Sequence, residues 1–187
     1  MGAIRIVGGA LRGRKIEVSG RAIRPTSDRT REAIFDILGP SAVTDATVLD
    51  LYAGTGALGI EALSRGAREA RFVEGDRATA RALRENLTRL GLADRGAVIE
   101  ADLDQGNLPA GAQGPFDLVF LDPPYAGDAG ALWIGRLAEG LWPNGGGLVV
   151  YERRKGAPAP VPQGWTIATE RTYSETTVTF YRGKGGA

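Results

Sequence analysis

The 187-residue sequence predicts an α/β fold: a mostly parallel sheet with helices on both faces, closed at one edge by an antiparallel pair. Three observations carry this. Short apolar runs at 47–51, 70–73, 97–99, 116–121 and 147–151 alternate with segments of helical period. Glycines and prolines punctuate the junctions. Beyond Gly164 the pattern changes to two alternating, Thr- and aromatic-rich stretches, 165–170 and 176–181, which read as antiparallel strands.

In chain order, Ile4, Ile6 and Val7 and then Lys15–Val18 are extended stretches separated by Gly8, Gly9 and Gly13, the pattern of a small β-ribbon. Pro25 sets a turn, and Thr26, Ser27 and Asp28 offer N-caps to a short helix. Its apolar stripe is Ala33, Ile34, Ile37 and Leu38, and Gly39-Pro40 is expected to stop it. Helices are expected over 57–64, over 77–90 with Leu83, Leu87 and Leu90 buried, and over 131–141. Arg77, Arg81 and Arg84 fall on the solvated side of the second. The proline-rich stretch 156–164 is a connector.

Cysteine and histidine are both absent. That excludes thiolate nucleophiles, His-based triads, thiolate or imidazole metal sites and disulfides. No metal site is expected. No apolar run is long enough for a membrane span and no leader opens the chain, so a cytoplasmic protein is expected. The net charge of +1 conceals an asymmetry: residues 1–31 sum to +6 and the remainder to −5. A basic arm on an acidic body suits a polyanion partner such as a nucleic acid.

The strongest local signal is Asp50-Leu51-Tyr52-Ala53-Gly54-Thr55-Gly56-Ala57-Leu58-Gly59, which leaves a strand, turns through glycines and opens a helix. Gly54-Thr55-Gly56-Ala57-Leu58-Gly59 fits a dinucleotide loop, and Glu74 is placed to take ribose hydroxyls. Asp50 argues against a pyrophosphate, which would meet an anion at the strand end. Acids also end the next two strands, Glu74 and Asp102. Such a row binds a nucleoside without phosphate: Asp50 near an amino-acid ammonium, Glu74 on the ribose diol, Asp102 on the adenine amine. The ligand implied is S-adenosyl-L-methionine, leaving S-adenosyl-L-homocysteine, with Asp50, Tyr52, Gly54, Gly56, Glu74 and Asp102 as candidate cofactor-binding residues.

The run Phe116–Leu121 ends in Asp122-Pro123-Pro124-Tyr125. Two prolines cannot continue a central strand, so the chain turns stiffly and offers only acceptors: a carboxylate and backbone carbonyls. An exocyclic base amine is a poor nucleophile because its lone pair is delocalised. Two acceptors on its N–H bonds turn that lone pair toward a sulfonium methyl, and the Tyr125 ring can stack on the base for about 1–3 kcal/mol. Positioning and electrostatics then carry the rate without imidazole or thiolate. Asp122, Pro123, Pro124 and Tyr125 are the candidate catalytic residues.

The loop Asp50–Gly59 with Asp122–Tyr125 resembles the S-adenosylmethionine-dependent methyltransferases acting on amino nitrogens. Arg5–Lys15 and Arg24–Phe35 narrow the resemblance to the bacterial RsmD-type family, over about Ile4 to Tyr181. The resemblance implies a seven-stranded, Rossmann-like sheet whose last two strands form a C-terminal antiparallel hairpin. It also implies a ribbon-and-helix RNA-binding extension (1–40) on a methyltransferase domain (41–187), and methylation of N2 of one guanine in 16S ribosomal RNA. The partner implied is ribosomal RNA or the small subunit, and a monomer is expected. Arg5, Arg12, Arg14, Lys15 and Arg24 would neutralise phosphates, and Arg29 and Arg31 would order the base or cofactor. Two positions depart from the family: Asp36 stands where Asn is usual, and Ser174-Glu175 replaces a glycine-rich turn. Three alternatives keep part of the pattern. One is amino-methylation of DNA adenine-N6, cytosine-N4 or a protein glutamine; the others are an NAD oxidoreductase and a non-catalytic RNA-binding module.

Overall fold

Residue parity along the central strands decides which helical layer each side chain meets. Val48, Phe72, Phe120 and Val150 pack with Ile34, Phe35, Ile60, Leu63, Leu83 and Leu87 on one face. Leu49, Leu51, Val119, Leu121 and Val149 pack with Trp133, Ile134 and Leu137 on the other. Strands buried on both sides read as continuous apolar runs, which is why these did.

The structure is a computed structural model that describes residues 2–18, 27–104, 106–124, 128–139 and 147–183. A ribbon of β1 (Gly2–Arg5) and β2 (Lys15–Val18) precedes α1 (Asp28–Val43). Then come β3 (Thr47–Leu51), α2 (Ala57–Ser64), β4 (Glu69–Glu74), α3 (Arg77–Leu90), β5 (Gly96–Glu100), β6 (Leu118–Leu121) and α4 (Ala129–Ala138). The chain closes through β7 (Leu148–Arg154), β8 (Thr166–Tyr173) and β9 (Thr176–Arg182). The sheet has seven strands in the order β5-β4-β3-β6-β7-β9-β8. The first five are parallel; β9 runs antiparallel to both β7 and β8. The expected antiparallel pair is present, with its second strand on the inside and β8 at the edge. The turn between them needs no glycine, because Ser174 itself adopts φ 53°. No helix among the described residues is long and apolar enough to cross a membrane.

Helix α1 corrects one expectation. Ser27 caps it, its side chain accepting from the Thr30 amide at 3.1 Å. Gly39 breaks it as expected, at φ 70° and ψ 166°, but Pro40 then starts another turn that runs to Val43. Proline suits a first helical position because its missing N–H has no partner there anyway. Asp36 is exposed on this helix, so the departure from Asn costs no buried contact.

The ribbon shares the core of the sheet: Ile4, Ile6 and Ile16 are buried with Ile34 and Leu83. Asn86 of α3 completes it as a strand would, accepting from the Glu17 amide at 2.9 Å and donating to its carbonyl at 2.8 Å. The ribbon's turn docks on the end of α2. The Ser64 hydroxyl accepts from Leu11 N at 2.9 Å and donates to Gly8 O at 2.6 Å. A Cβ at Gly9 would collide with the Ser64 backbone, so that glycine permits the approach. Helices α2 and α3 each descend from the carboxyl edge of the parallel strands to the amino edge. The ribbon's turn therefore lies at the amino edge, and the start of α1 at the carboxyl edge.

Candidate active site

Four carboxylates stand at the carboxyl ends of four neighbouring strands: Glu74 on β4, Asp50 on β3, Asp122 after β6 and Glu152 on β7. The register sets Asp50 beside Phe72 and Phe120, so strand alternation turns all four to the same face. Asp50 is buried and accepts from the Gly59 amide at 2.9 Å. Burial raises its pKa to about 8; the Gly59 hydrogen bond opposes this, and the Glu152 and Glu74 charges add to it. Burial, then the charges of Glu152 and Asp50, also hold Asp122 well above the ordinary carboxylate range.

The glycine loop arches over this row. Gly54 and Gly56 have φ 54° and 74°, where a side chain is strained. A Cβ at Gly56 would strike Leu83 and Phe72, so this glycine seats α2 on the sheet; Gly54 faces open space, its nearest neighbour the Tyr52 carbonyl at 4.0 Å. Glu74 is fixed by two amides, Gly54 N to Oε2 and Asp76 N to Oε1, both at 2.8 Å. Each oxygen keeps a lone pair for a ligand hydroxyl. Asp102 is exposed at the next strand end and accepts from Asp104 N at 2.9 Å. The arrangement fits S-adenosylmethionine: a buried carboxyl with no cation beside it among the described residues, an open glycine cradle and a braced acid for a diol.

The structure brings Asp50, Gly54, Gly56 and Glu74 together and sets Asp122, Pro123 and Pro124 one strand away. Pro123 is buried and Pro124 exposed. Tyr125 and Arg24 lie outside the described residues. Tyr52 takes the left-handed conformation at φ 57° and donates through its hydroxyl to Asp104 Oδ1 at 3.3 Å.

The basic residues do not form one arm. Arg31 is fully buried, its guanidinium donating to Arg5 O at 2.6 Å and Asp28 Oδ1 at 2.8 Å, with Glu61 Oε2 3.5 Å away. In this conformation its guanidinium braces the interior, which departs from the expected role of ordering the base or cofactor. Arg14 caps α3, donating to Leu90 O and Arg89 O at 3.2 and 2.7 Å. Arg5 is exposed, 4.0 Å from Asp28. Arg12, Lys15 and Arg29 are exposed with no side-chain partner among the described residues.

Three residues escaped the sequence reading. Glu61 is buried in α2, accepts from Val7 N at 2.9 Å and pairs with Arg65 at 2.8 Å as well as Arg31. Glu152 sits in an apolar strand next to Asp122. Trp133 is fully buried under the Tyr52 loop. An acid directly after the apolar run 147–151 was the available signal for Glu152.

The family model described as conserved hypothetical protein 95 matches residues 4–182. The ribosomal RNA small subunit methyltransferase D of Haemophilus influenzae is 37% identical over 91% of this chain and 89% of its own length. A solved structure from Escherichia coli is 36% identical, with a TM-score of 0.85 over 99% of this chain and 100% of its own. An RNA methyltransferase of Salinibacter ruber, solved with S-adenosyl-L-homocysteine, shares the fold at 18% identity and a TM-score of 0.66, over 87% of this chain and 95% of its own. With nearly its whole length matched, the chain belongs to the RsmD family of ribosomal RNA small subunit methyltransferases.

Proposed function

We propose that this chain transfers the methyl group of S-adenosyl-L-methionine to the exocyclic N2 amine of a guanine in 16S ribosomal RNA, acting as a cytoplasmic monomer. The observation that carries the reading is the juxtaposition, on adjacent strand ends, of the buried Asp50 carboxyl and the Asp122-Pro123-Pro124 turn.

The cofactor, when bound, supplies an electrophilic methyl carbon on a sulfonium. Asp50 supplies the counter-charge to its ammonium, Glu74 takes the ribose hydroxyls, and Asp102 takes the adenine amine. Asp122 and the turn's carbonyls accept the N–H bonds of the target amine and hold its lone pair toward the donor. Tyr125 stacks on the base. A carboxylate of raised pKa also receives readily the proton that the methylated amine sheds. The segment 1–40 is the RNA-contacting extension, with Arg5, Arg12, Lys15 and Arg29 on phosphates. A guanine within structured RNA must be extruded to reach the turn.

The test is methyl transfer from labelled S-adenosylmethionine to unmethylated 16S RNA and to small subunits, followed by nucleoside analysis. N2-methylguanosine is the expected product. Its absence, with cofactor bound and substrate intact, overturns the reading; methylated adenine or cytosine from duplex DNA points to the alternative substrate.

A further inference from the structure

One buried side chain, on the helix that follows the acceptor turn in the chain, bonds to both loops of the cofactor side. Trp133, eleven residues beyond Asp122 on α4, is fully buried. Its indole Nε1 donates to the Tyr52 hydroxyl at 3.2 Å and to the Leu103 carbonyl at 3.1 Å. Tyr52 lies in the glycine loop, and Leu103 follows the adenine-side acid Asp102. The Tyr52 hydroxyl in turn donates a hydrogen bond to Asp104 Oδ1 at 3.3 Å. Three separate connections at the carboxyl edge thus meet at one N–H: the loop after β3, the loop after β5 and the helix that receives the Asp122-Pro123-Pro124 turn.

Two further observations show that the link is built. Tyr52 is a bulky residue at φ 57°, a conformation that persists only where surrounding contacts hold it. The start of α4 is fixed from its other side, because Gly130 packs so closely on Tyr151 of β7 that a Cβ would collide with the phenol. Between Tyr151 and Tyr52 the helix has little freedom to slide, so the start of α4 is held relative to the cofactor loop.

We propose that Trp133 is a positioning residue whose indole N–H, through the Tyr52 hydroxyl and the Leu103 carbonyl, sets the distance between the methyl donor and the base amine. The proposal rests on the methyltransferase reading. Methyl transfer depends on sub-ångström alignment of donor and acceptor, so losing the link lowers turnover more than it weakens either ligand. A brace for cofactor affinity alone would do the reverse.

The experiment compares Trp133→Phe, Tyr52→Phe and the double variant. Tyr52→Phe deletes one oxygen and guards against misfolding of the larger change. Calorimetry with S-adenosyl-L-homocysteine gives the fraction of binding-competent protein, and kcat and KM are measured per competent site. The expected result is a kcat about 10-fold lower in each single variant, with a smaller change in cofactor KM, and a double variant scarcely worse than the singles. Unchanged kcat per competent site overturns the proposal, as do fully multiplicative effects of the two substitutions. Wild-type protein that fails to bind the cofactor overturns the methyltransferase reading instead, and this inference with it.

Discussion

The Gly59 amide donates at 2.9 Å to Oδ2 of Asp50, a carboxyl buried on the strand between β4 and β6. Desolvation outweighs this hydrogen bond, and the carboxyl is raised to about 8. The folded, ligand-free chain keeps a proton that the unfolded chain loses near the ordinary carboxylate range.

Two pH dependences follow with defined sign. Between about pH 4 and 8 the unfolded state binds fewer protons at Asp50 than the folded state, so this residue lowers stability as pH rises. A bound ammonium favours the ionised form, so cofactor binding releases close to one proton at pH 7 and strengthens as pH rises toward 8. Calorimetry in buffers of different ionisation enthalpy measures that proton. Asp50→Asn removes both effects and loses cofactor binding at least about 10-fold, while the free protein unfolds no more easily than wild type at pH 8.

The loop's two left-handed glycines separate stability from binding. Gly56→Ala meets Leu83 and Phe72 as well as backbone strain and costs about 2–4 kcal/mol in denaturant unfolding. Gly54→Ala faces open space and costs about 1–2 kcal/mol from strain alone. Its larger effect is on cofactor affinity, because the methyl enters the cradle. Equal losses of stability in the two variants would contradict this division.

These glycines were legible in the sequence because a strand end, a positive-φ turn and a helix start are local events written in consecutive residues. The same holds for Asp122-Pro123-Pro124, whose stiffness is covalent. Glu61 and Asn86 were not legible: their partners Val7 and Glu17 are 54 and 69 residues away, and only the docked ribbon turns a helix-surface polar residue into a buried one. Arg31 failed for the same reason. Its place one turn into a helix pointing at the site suggested a role on the base or cofactor, whereas its buried carboxylate partner lies on α2, which packs beside it only after folding.

Breaking that interior pair has a definite consequence. Glu61→Ala removes a buried carboxylate partner of Arg31 and orphans the Val7 amide, at a cost of roughly 3–5 kcal/mol. Chemical denaturation measures it, and proteolysis near residues 2–18 reports whether the ribbon detaches first. An unaltered midpoint would show that the Glu61 pairs carry no net stability.

Asp122→Ala separates binding from turnover. The substitution removes the acceptor for the amine but leaves Asp50, Glu74 and the glycine loop intact. Cofactor affinity is expected to stay within about 3-fold while methyl transfer falls by about 100-fold or more. In the wild type, the ionised form of the raised Asp122 is the stronger acceptor and the one able to take the proton, so kcat rises with pH through that ionisation. A pH-independent kcat from acid to neutral conditions would remove Asp122 from the rate-limiting step.

The basic residues divide by geometry, and salt dependence can read the division. Helix α3 runs 14 residues from the carboxyl to the amino edge, about 20 Å, and the ribbon turn bearing Arg12 sits at its far end. Arg29 opens α1 at the catalytic edge. An RNA held by both spans that length, so it is gripped well beyond the reacting base. Each exposed, unpartnered cation that meets a phosphate contributes about 0.7–0.9 to the slope of log affinity against log salt. Arg12→Ala and Arg29→Ala are therefore expected to lower the slope by that amount each and to add. Arg31→Ala, by contrast, lowers stability and leaves the slope of the still-folded fraction unchanged, because its guanidinium bonds Asp28 and the Arg5 carbonyl inside the protein. Filter binding across a salt series, beside thermal unfolding of the same variants, separates these outcomes. A slope that responds to Arg31 but not to Arg12 would place the RNA on a different face.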